Sequence, residues 1–209
     1  MKIGIIGAGF VGRTIATLAI NTGHQVMLSN SRGPQTLFSF RSMVGCQAGT
    51  VEEAIQFGDV VVIAVPLTAI DRLPAALLAG KQVLDAVNYY QERDGQVDVL
   101  DSAQTTTSEL LARHLPGALI TKAFNAIQMT QLESDGLPAG SPNRRTLPLA
   151  VDNAQGKQIA HELYEAFGFD AVDVGALTEE WRFERGTPAY CGRMTKEALL
   201  AALEGVQRN

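Results

Sequence analysis

Lys2-Ile3-Gly4-Ile5-Ile6-Gly7-Ala8-Gly9-Phe10-Val11-Gly12 is the stretch whose reading decides the fold. Ile3, Ile5 and Ile6 form a short apolar run with the composition of a buried strand. Gly7, Gly9 and Gly12 follow at the spacing G-x-G-x-x-G, and helical apolar periodicity runs from Phe10 to Ile20. A strand, a tight glycine turn and a helix in this order match a dinucleotide-binding unit. Gly7 permits the turn, Gly9 lets a pyrophosphate approach the backbone, and Gly12 lets the helix pack closely on the strand. The phosphates are expected at the unpaired N–H groups of the helix start, around Ala8, Phe10 and Val11, where the helix dipole favours negative charge.

The next strand is expected at His24–Ser29, followed by the loop Asn30-Ser31-Arg32-Gly33-Pro34. A carboxylate at this point would hold a ribose 2′-hydroxyl, but none occurs from His24 through Gly45. Ser31 and Arg32 instead offer a hydroxyl and a guanidinium fork suited to phosphate, with Asn30 beside them. An ordinary solvated arginine is the competing reading of Arg32 alone. The missing acid and the upstream glycines favour a 2′-phosphate, hence NADP over NAD.

The rest of the chain supports an α/β fold. Thr50-Val51-Glu52-Glu53 fits a capping box opening a short helix to Phe57. Val60 to Val65 is a β-branched run of the kind that fills a central parallel strand. Pro66 ends it at the carboxyl edge, where such sheets bind ligands, so Val65 and Pro66 join the expected nucleotide set. Asn88 lies on the same edge, just past a strand at Gln82–Asp85. Ala69–Leu78 reads as a helix despite Pro74, and Gln91–Ala103 as a polar surface loop. Thr106-Thr107-Ser108-Glu109 caps a helix through Leu115, and Ala118–Lys122 is a sixth strand. The Gly/Pro-rich stretch Ser134–Asn143 is the one credible internal boundary. Beyond it come a strand at Arg145–Val151, a helix to Phe167 capped by Asp152 or Asn153, a strand at Phe169–Val174 and a helix at Met194–Val206. The expected architecture is a Rossmann-type, doubly wound parallel sheet over residues 1–133, with a small C-terminal αβ extension over 144–209 packed on it.

Composition bounds the function classes. The 209 residues are 46% hydrophobic and 19% charged, as in a globular protein. A net charge of -5 gives no support for nucleic acid or an anionic membrane as partner. No apolar run reaches the roughly 18–20 residues of a membrane span. The N-terminal strand leads straight into the glycines and is not read as a signal peptide. Cys46 and Cys191 are far apart and form no metal-type spacing, so no metal is expected and a reducing, cytoplasmic setting is the default.

With these segments placed, the chain resembles the coenzyme F420-dependent NADP oxidoreductases, a family that includes the NADPH-binding domains of membrane ferric reductases. The residues that carry the likeness are Gly7-Ala8-Gly9 through Gly12, Ser29-Asn30-Ser31-Arg32-Gly33-Pro34, Lys122-Ala123-Phe124-Asn125, and Thr187-Pro188 with Tyr190. The resemblance implies that Ser31 and Arg32 hold the 2′-phosphate and that Ala126 meets the nucleotide. It also implies a cleft for a deazaflavin or flavin-like acceptor along Phe124, Asn125, Ile127, Gln128 and Met129, with Pro188. Gln128 stands where F420-using members tend to carry proline, so the cofactor half of the likeness is fuller than the acceptor half. A homodimer is a family-level expectation.

Hydride transfer needs two rings held at contact distance in a dry cleft and little proton chemistry from the protein. None of the three histidines stands at the carboxyl edge of a central strand. Lys122 is the ionisable side chain beside the expected cleft, either a proton donor to a carbonyl or imine or a member of a surface ion pair. Tyr89, Tyr90 and Tyr190 either flank a ring or belong to core and rim. Three functions remain open. One is an NADPH oxidoreductase acting on a flavin-like or F420 acceptor, another a reductase of a small carbonyl or imine, and the third a non-catalytic NADPH sensor.

Overall fold

Alternation of short apolar strands with helices gives one sheet with helices on both faces. The computed structural model describes residues 1–208. The first half runs β1 (Lys2–Ile6), α1 (Phe10–Asn21), β2 (Gln25–Ser29), α2 (Phe38–Val44), β3 (Gln47–Gly49), α3 (Val51–Phe57) and β4 (Val60–Ile63). It continues with α4 (Ala75–Leu78), β5 (Gln82–Asp85), α5 (Gln91–Asp94), α6 (Asp98–Asp101), α7 (Thr107–His114) and β6 (Leu119–Lys122). The last part is α8 (Met129–Ser134), β7 (Thr146–Val151), α9 (Ala154–Ala166), β8 (Asp170–Asp173) and α10 (Lys196–Gly205).

The strand order is β3-β2-β1-β4-β5-β6-β7-β8. From β3 to β6 every pairing is parallel, and the order reverses direction at β1/β4, the switch point where this Rossmann-type α/β fold leaves a crevice. β1 and β4 are buried along their apolar residues, Ile3, Ile5 and Val60–Ile63, because helices cover both faces. One core layer joins α1, α2 and α9 to the sheet through residues such as Ile15, Leu28, Phe124 and Tyr164. The opposite layer gathers Ile55, Val61, Leu78 and Leu111.

The capping boxes form as the sequence indicates: Thr50 with Glu53, and Thr106 with Glu109, each accepting and donating reciprocally. Asn153 caps α9 through the Gly156 N–H. Three segments differ from expectation. The single helix expected over 69–78 is a 3-10 segment, Leu67–Arg72, followed by the one-turn α4. Pro74 lacks an N–H and drives Leu73 into extended geometry (φ -71, ψ 136), which breaks the helix between them. The expected loop over 91–103 contains the short turns α5 and α6. β7 runs antiparallel to β6 and β8 runs parallel to β7, so the C-terminal strands extend the same sheet and make it mixed.

Candidate active site at the carboxyl edge

The glycine turn is built by two contacts that tolerate no side chain and one that faces open space. Gly7 has φ +111, and a Cβ there would lie 2.2 Å from the Ala64 carbonyl oxygen. A Cβ on Gly12 would lie 1.9 Å from the Gly7 carbonyl oxygen, so α1 crosses directly over the turn. Around Gly9, by contrast, a Cβ would meet nothing within 4 Å. Gly9 is also the N-cap of α1, which has no side-chain cap and no acidic residue in its first turn. The helix therefore presents bare N–H groups and positive dipole to that open space.

The space is a cavity of about 400 Å³ that brings together Gly7, Ala8, Gly9, Asn30, Ser31, Arg32, Val65 and Pro66. Asn30 organises the loop after β2: its Oδ1 accepts from the Arg32 N–H (3.0 Å) and its Nδ2 donates to Thr36 Oγ1 (2.9 Å). The Arg32 side chain is exposed and makes no ion pair among the described residues. Phe10 stands exposed at the start of α1, Val11 is half-buried, and Gly12 is buried under the turn.

Two charged residues of this cavity were not picked out from the sequence, Arg72 and Glu52. Arg72 ends the 3-10 segment that follows Pro66, so its place past the carboxyl edge of β4 was the available signal. Glu52 lies in the first turn of α3 and places one carboxylate on the cavity wall.

Along the stretch Phe124–Met129, where a cleft is expected, most side chains are buried. Phe124, at φ +64, packs edge-on against Tyr164 (4.6 Å between centroids), and Ile127 lies in the same core layer. Asn125 and Ala126 are also buried, while Gln128 is exposed and Met129 half-buried. Pro188 is exposed. Asn88 donates from Nδ2 to the Asn125 carbonyl (2.9 Å), which ties the loops after β5 and β6 together.

Lys122 takes part in no surface ion pair. It is 0% exposed, and its Nζ donates to the Val87 carbonyl (2.6 Å), Thr107 Oγ1 (2.9 Å) and Asp85 Oδ2 (3.2 Å). Glu180 Oε2 lies 3.6 Å from the same ammonium. Ser108 Oγ donates to Asp85 Oδ2, and the Thr107 hydroxyl and Ser108 N–H donate to Glu180 Oε1 (2.7 and 2.9 Å). Burial raises the Asp85 carboxyl against the pull of Lys122, and raises Glu180 to about 7. The neighbouring carboxylates hold Lys122 in its charged form despite burial.

This cluster backs onto a second cavity of about 340 Å³, lined by Asn88, Tyr89, Thr107, Glu184 and Arg185 among others. Beside it, the guanidiniums of Arg93 and Arg185 both stand over the Tyr90 ring (4.8 and 5.0 Å from its centroid), and the Tyr90 hydroxyl meets that of Tyr190 (2.5 Å). Arg185 is itself held by Glu92, whose carboxyl it brings down to about 2. Among the described residues, no group of three or more His, Cys, Asp or Glu is placed to hold a metal ion, and no helix is long and apolar enough to cross a membrane.

Comparison with known proteins bears out the resemblance read from the sequence. Residues 2–89 match the family model described as NADP oxidoreductase, coenzyme F420-dependent. The rat metalloreductase STEAP3 is 29% identical over 181 residues, which cover 84% of this chain and 34% of that protein. The chain thus spans about a third of this relative. Protein SMa0349 of Sinorhizobium meliloti superposes with a TM-score of 0.79 at 28% identity, covering 92% of this chain and 93% of that one. An Arthrobacter sp. FB24 protein named for F420-dependent NADP reductase activity gives a TM-score of 0.72 at 23% identity, with 85% and 86% covered, and shares the fold.

Proposed function

We propose that this chain is an NADP-dependent oxidoreductase that passes hydride between NADPH and a small-molecule acceptor with a flavin-like or deazaflavin ring. One observation carries the reading: the open space at Gly9 faces the bare start of α1, in a cavity whose rim holds Ser31, Arg32 and Arg72. Its backbone donors and cationic rim suit a dinucleotide carrying an extra phosphate. The pyrophosphate lies against Gly7–Gly9 and the α1 N–H groups, and the 2′-phosphate takes Ser31 and Arg32. Glu52 is the one acidic group that opposes this charge pattern. The nicotinamide, once bound, supplies the hydride. Asn88, through its bond to the Asn125 backbone, fixes the loops past β5 and β6 near which the ring is held.

The match over residues 2–89 and the likeness to a metalloreductase support this reading. A second reading, reduction of a small carbonyl or imine, is favoured by the cavity beside Asn88, whose wall includes the carboxylate of Glu184. The deciding experiment is titration with NADPH and NADH, followed by the loss of reduced-nicotinamide absorbance with F420, FMN, riboflavin, and a carbonyl and imine panel. Preference for NADPH with turnover of a ring acceptor is the expected result, and turnover of carbonyls or imines alone moves the assignment to the second reading. Binding of NADPH without any turnover makes the chain a nucleotide-binding module instead.

A further inference from the structure

Asp85, Thr107, Ser108, Lys122 and Glu180 are each buried, at the junction of β5, β6, α7 and the 3-10 segment Leu177–Phe183. One ammonium serves two buried carboxylates there. Lys122 spends its three N–H groups on Val87, Thr107 and Asp85, leaving none for Glu180. Glu180 Oε2 is buried with no hydrogen-bond partner. A buried carboxylate with a bare oxygen and a neighbouring acid is costly, and a proton on it removes the excess charge.

The cluster also has an outlet. Thr107 and the half-buried Glu184 both line the cavity beside Asn88. Glu184 Oε1 accepts from the Thr107 N–H (3.0 Å) and lies 3.3 Å from the Thr107 hydroxyl. With Glu180 protonated on Oε1, the Thr107 hydroxyl accepts from both Glu180 and Lys122 and turns its own hydrogen to Glu184. With Glu180 ionised, it turns that hydrogen back to Glu180. The hydroxyl's two lone pairs and one hydrogen are filled in the first state, so the geometry describes a two-way switch.

We propose that this cluster is a proton relay for the cavity beside Asn88, running from Glu180 through the Thr107 hydroxyl to Glu184 and on to the hydride acceptor bound there. The inference rests on the oxidoreductase reading and names the acceptor's chemistry: a C=O or C=N system, free or within a deazaflavin ring, that takes up a proton along with the hydride. The nicotinamide C–H bond breaks with its electron pair going to the acceptor carbon, and the π pair displaced onto oxygen or nitrogen takes the proton from Glu184. Glu184 is refilled from Glu180 through Thr107, and because Glu180 is itself fully buried it is recharged by the same route in reverse, from water in the open cavity through Glu184 and Thr107 once the product has left. Glu184 is the group that touches the acceptor, and Glu180 acts through it. The charged groups facing Glu180 are Lys122 from β6, Asp85 from β5 and Glu184 from its own segment, whereas α7 contributes the neutral Thr107 and Ser108.

The pH profile of turnover in the unaltered protein is the first test. Burial pushes Glu180 up to about 7, so kcat is expected to hold its level below that pH and to fall above it. Glu180→Gln and Thr107→Val are each expected to lower kcat about a hundredfold, with the NADPH dissociation constant unchanged and, in Glu180→Gln, the limb near neutrality gone. A second readout needs no nucleotide. Carboxyl-carbon NMR titration of the protein alone should show one glutamate ionising far above the others, absent in Glu180→Gln and lowered in Glu184→Gln. Turnover by the unaltered protein with normal kcat and pH profile in Glu180→Gln overturns the relay while leaving the oxidoreductase reading intact. Variants that lose only thermal stability also overturn it, since a purely structural cluster predicts that outcome. Absence of turnover with every acceptor overturns the oxidoreductase reading itself, and the relay with it.

Discussion

The two cavities at the carboxyl edge are built on opposite principles. At the glycine turn the working groups are backbone: bare N–H groups at α1, the open space at Gly9, and guanidiniums at the rim. Beside Asn88 the working groups are side chains from four separated segments, locked into a buried network around Lys122. A backbone site is sensitive to the bulk of one residue and indifferent to pH. A buried charge network is sensitive to the loss of any partner and to the position of a single proton.

The sharpest way to break that contrast is to remove the ammonium. Lys122→Met leaves Asp85 and Glu180 facing each other without a counter-charge, and removing one partner of a buried pair typically costs about 3–5 kcal/mol. A large fall in the denaturation midpoint is expected, with NADPH affinity of the remaining folded protein little changed. A stable variant with an unaltered midpoint contradicts the charge balance described for the cluster.

Gly9→Val tests the other side. The space around Gly9 is open, so the fold should keep its midpoint, while the valine side chain enters the path assigned to the pyrophosphate. Loss of NADPH and NADH affinity by about a hundredfold or more, equivalent to roughly 2.8 kcal/mol, is expected by calorimetric titration. Tight binding by this variant removes the assignment of the cavity. Arg32→Ala has a smaller and selective effect: about tenfold to fiftyfold weaker NADPH binding, the scale of one charge-assisted contact, with NADH unchanged. Equal losses for both nucleotides place the 2′-phosphate elsewhere, with Arg72 the next residue to replace.

The two regions also differ in how far the sequence reveals them. The first is local: Gly7 to Gly12 and Asn30 to Arg32 are near-contiguous, and each lies where a strand ends, so spacing alone brings them together. Even there Arg72 and Glu52 escape, because a 3-10 segment has no apolar period to mark it and a first-turn acid reads as helix chemistry. The second region is assembled by tertiary contact. Thr107 and Ser108 read as part of a capping box, Glu180 and Glu184 stand in or beside a 3-10 segment that the periodicity does not announce, and only Lys122 draws notice. The burial of Lys122 goes unannounced because strand alternation does not say that its end is roofed by residues some sixty positions later, as Glu180 roofs it here. Burial of Phe124 and Ile127 has the same origin, since α9 supplies Tyr164, and the residue that ends it supplies the Phe167 ring, to cover Phe124.

The finest test of the comparison is the pH dependence of stability. Glu180 has a folded-state value of about 7 against 4.5 for an ordinary glutamate, so the native protein binds this proton more tightly than the unfolded chain. Between those two values the native state holds more protons, and stability falls as pH rises, levelling off above about 7. Asp85 is displaced in the same direction, so part of the slope begins lower. Glu92 works the opposite way, because its lowered carboxyl gives stability that is lost only as pH drops below its ordinary range toward 2. Denaturant melts from pH 5 to 8 should therefore show a decline of about 2–3 kcal/mol, that Glu180→Gln flattens and Arg32→Ala leaves untouched. A slope that survives Glu180→Gln assigns the proton to Asp85 and removes Glu180 as the start of the relay.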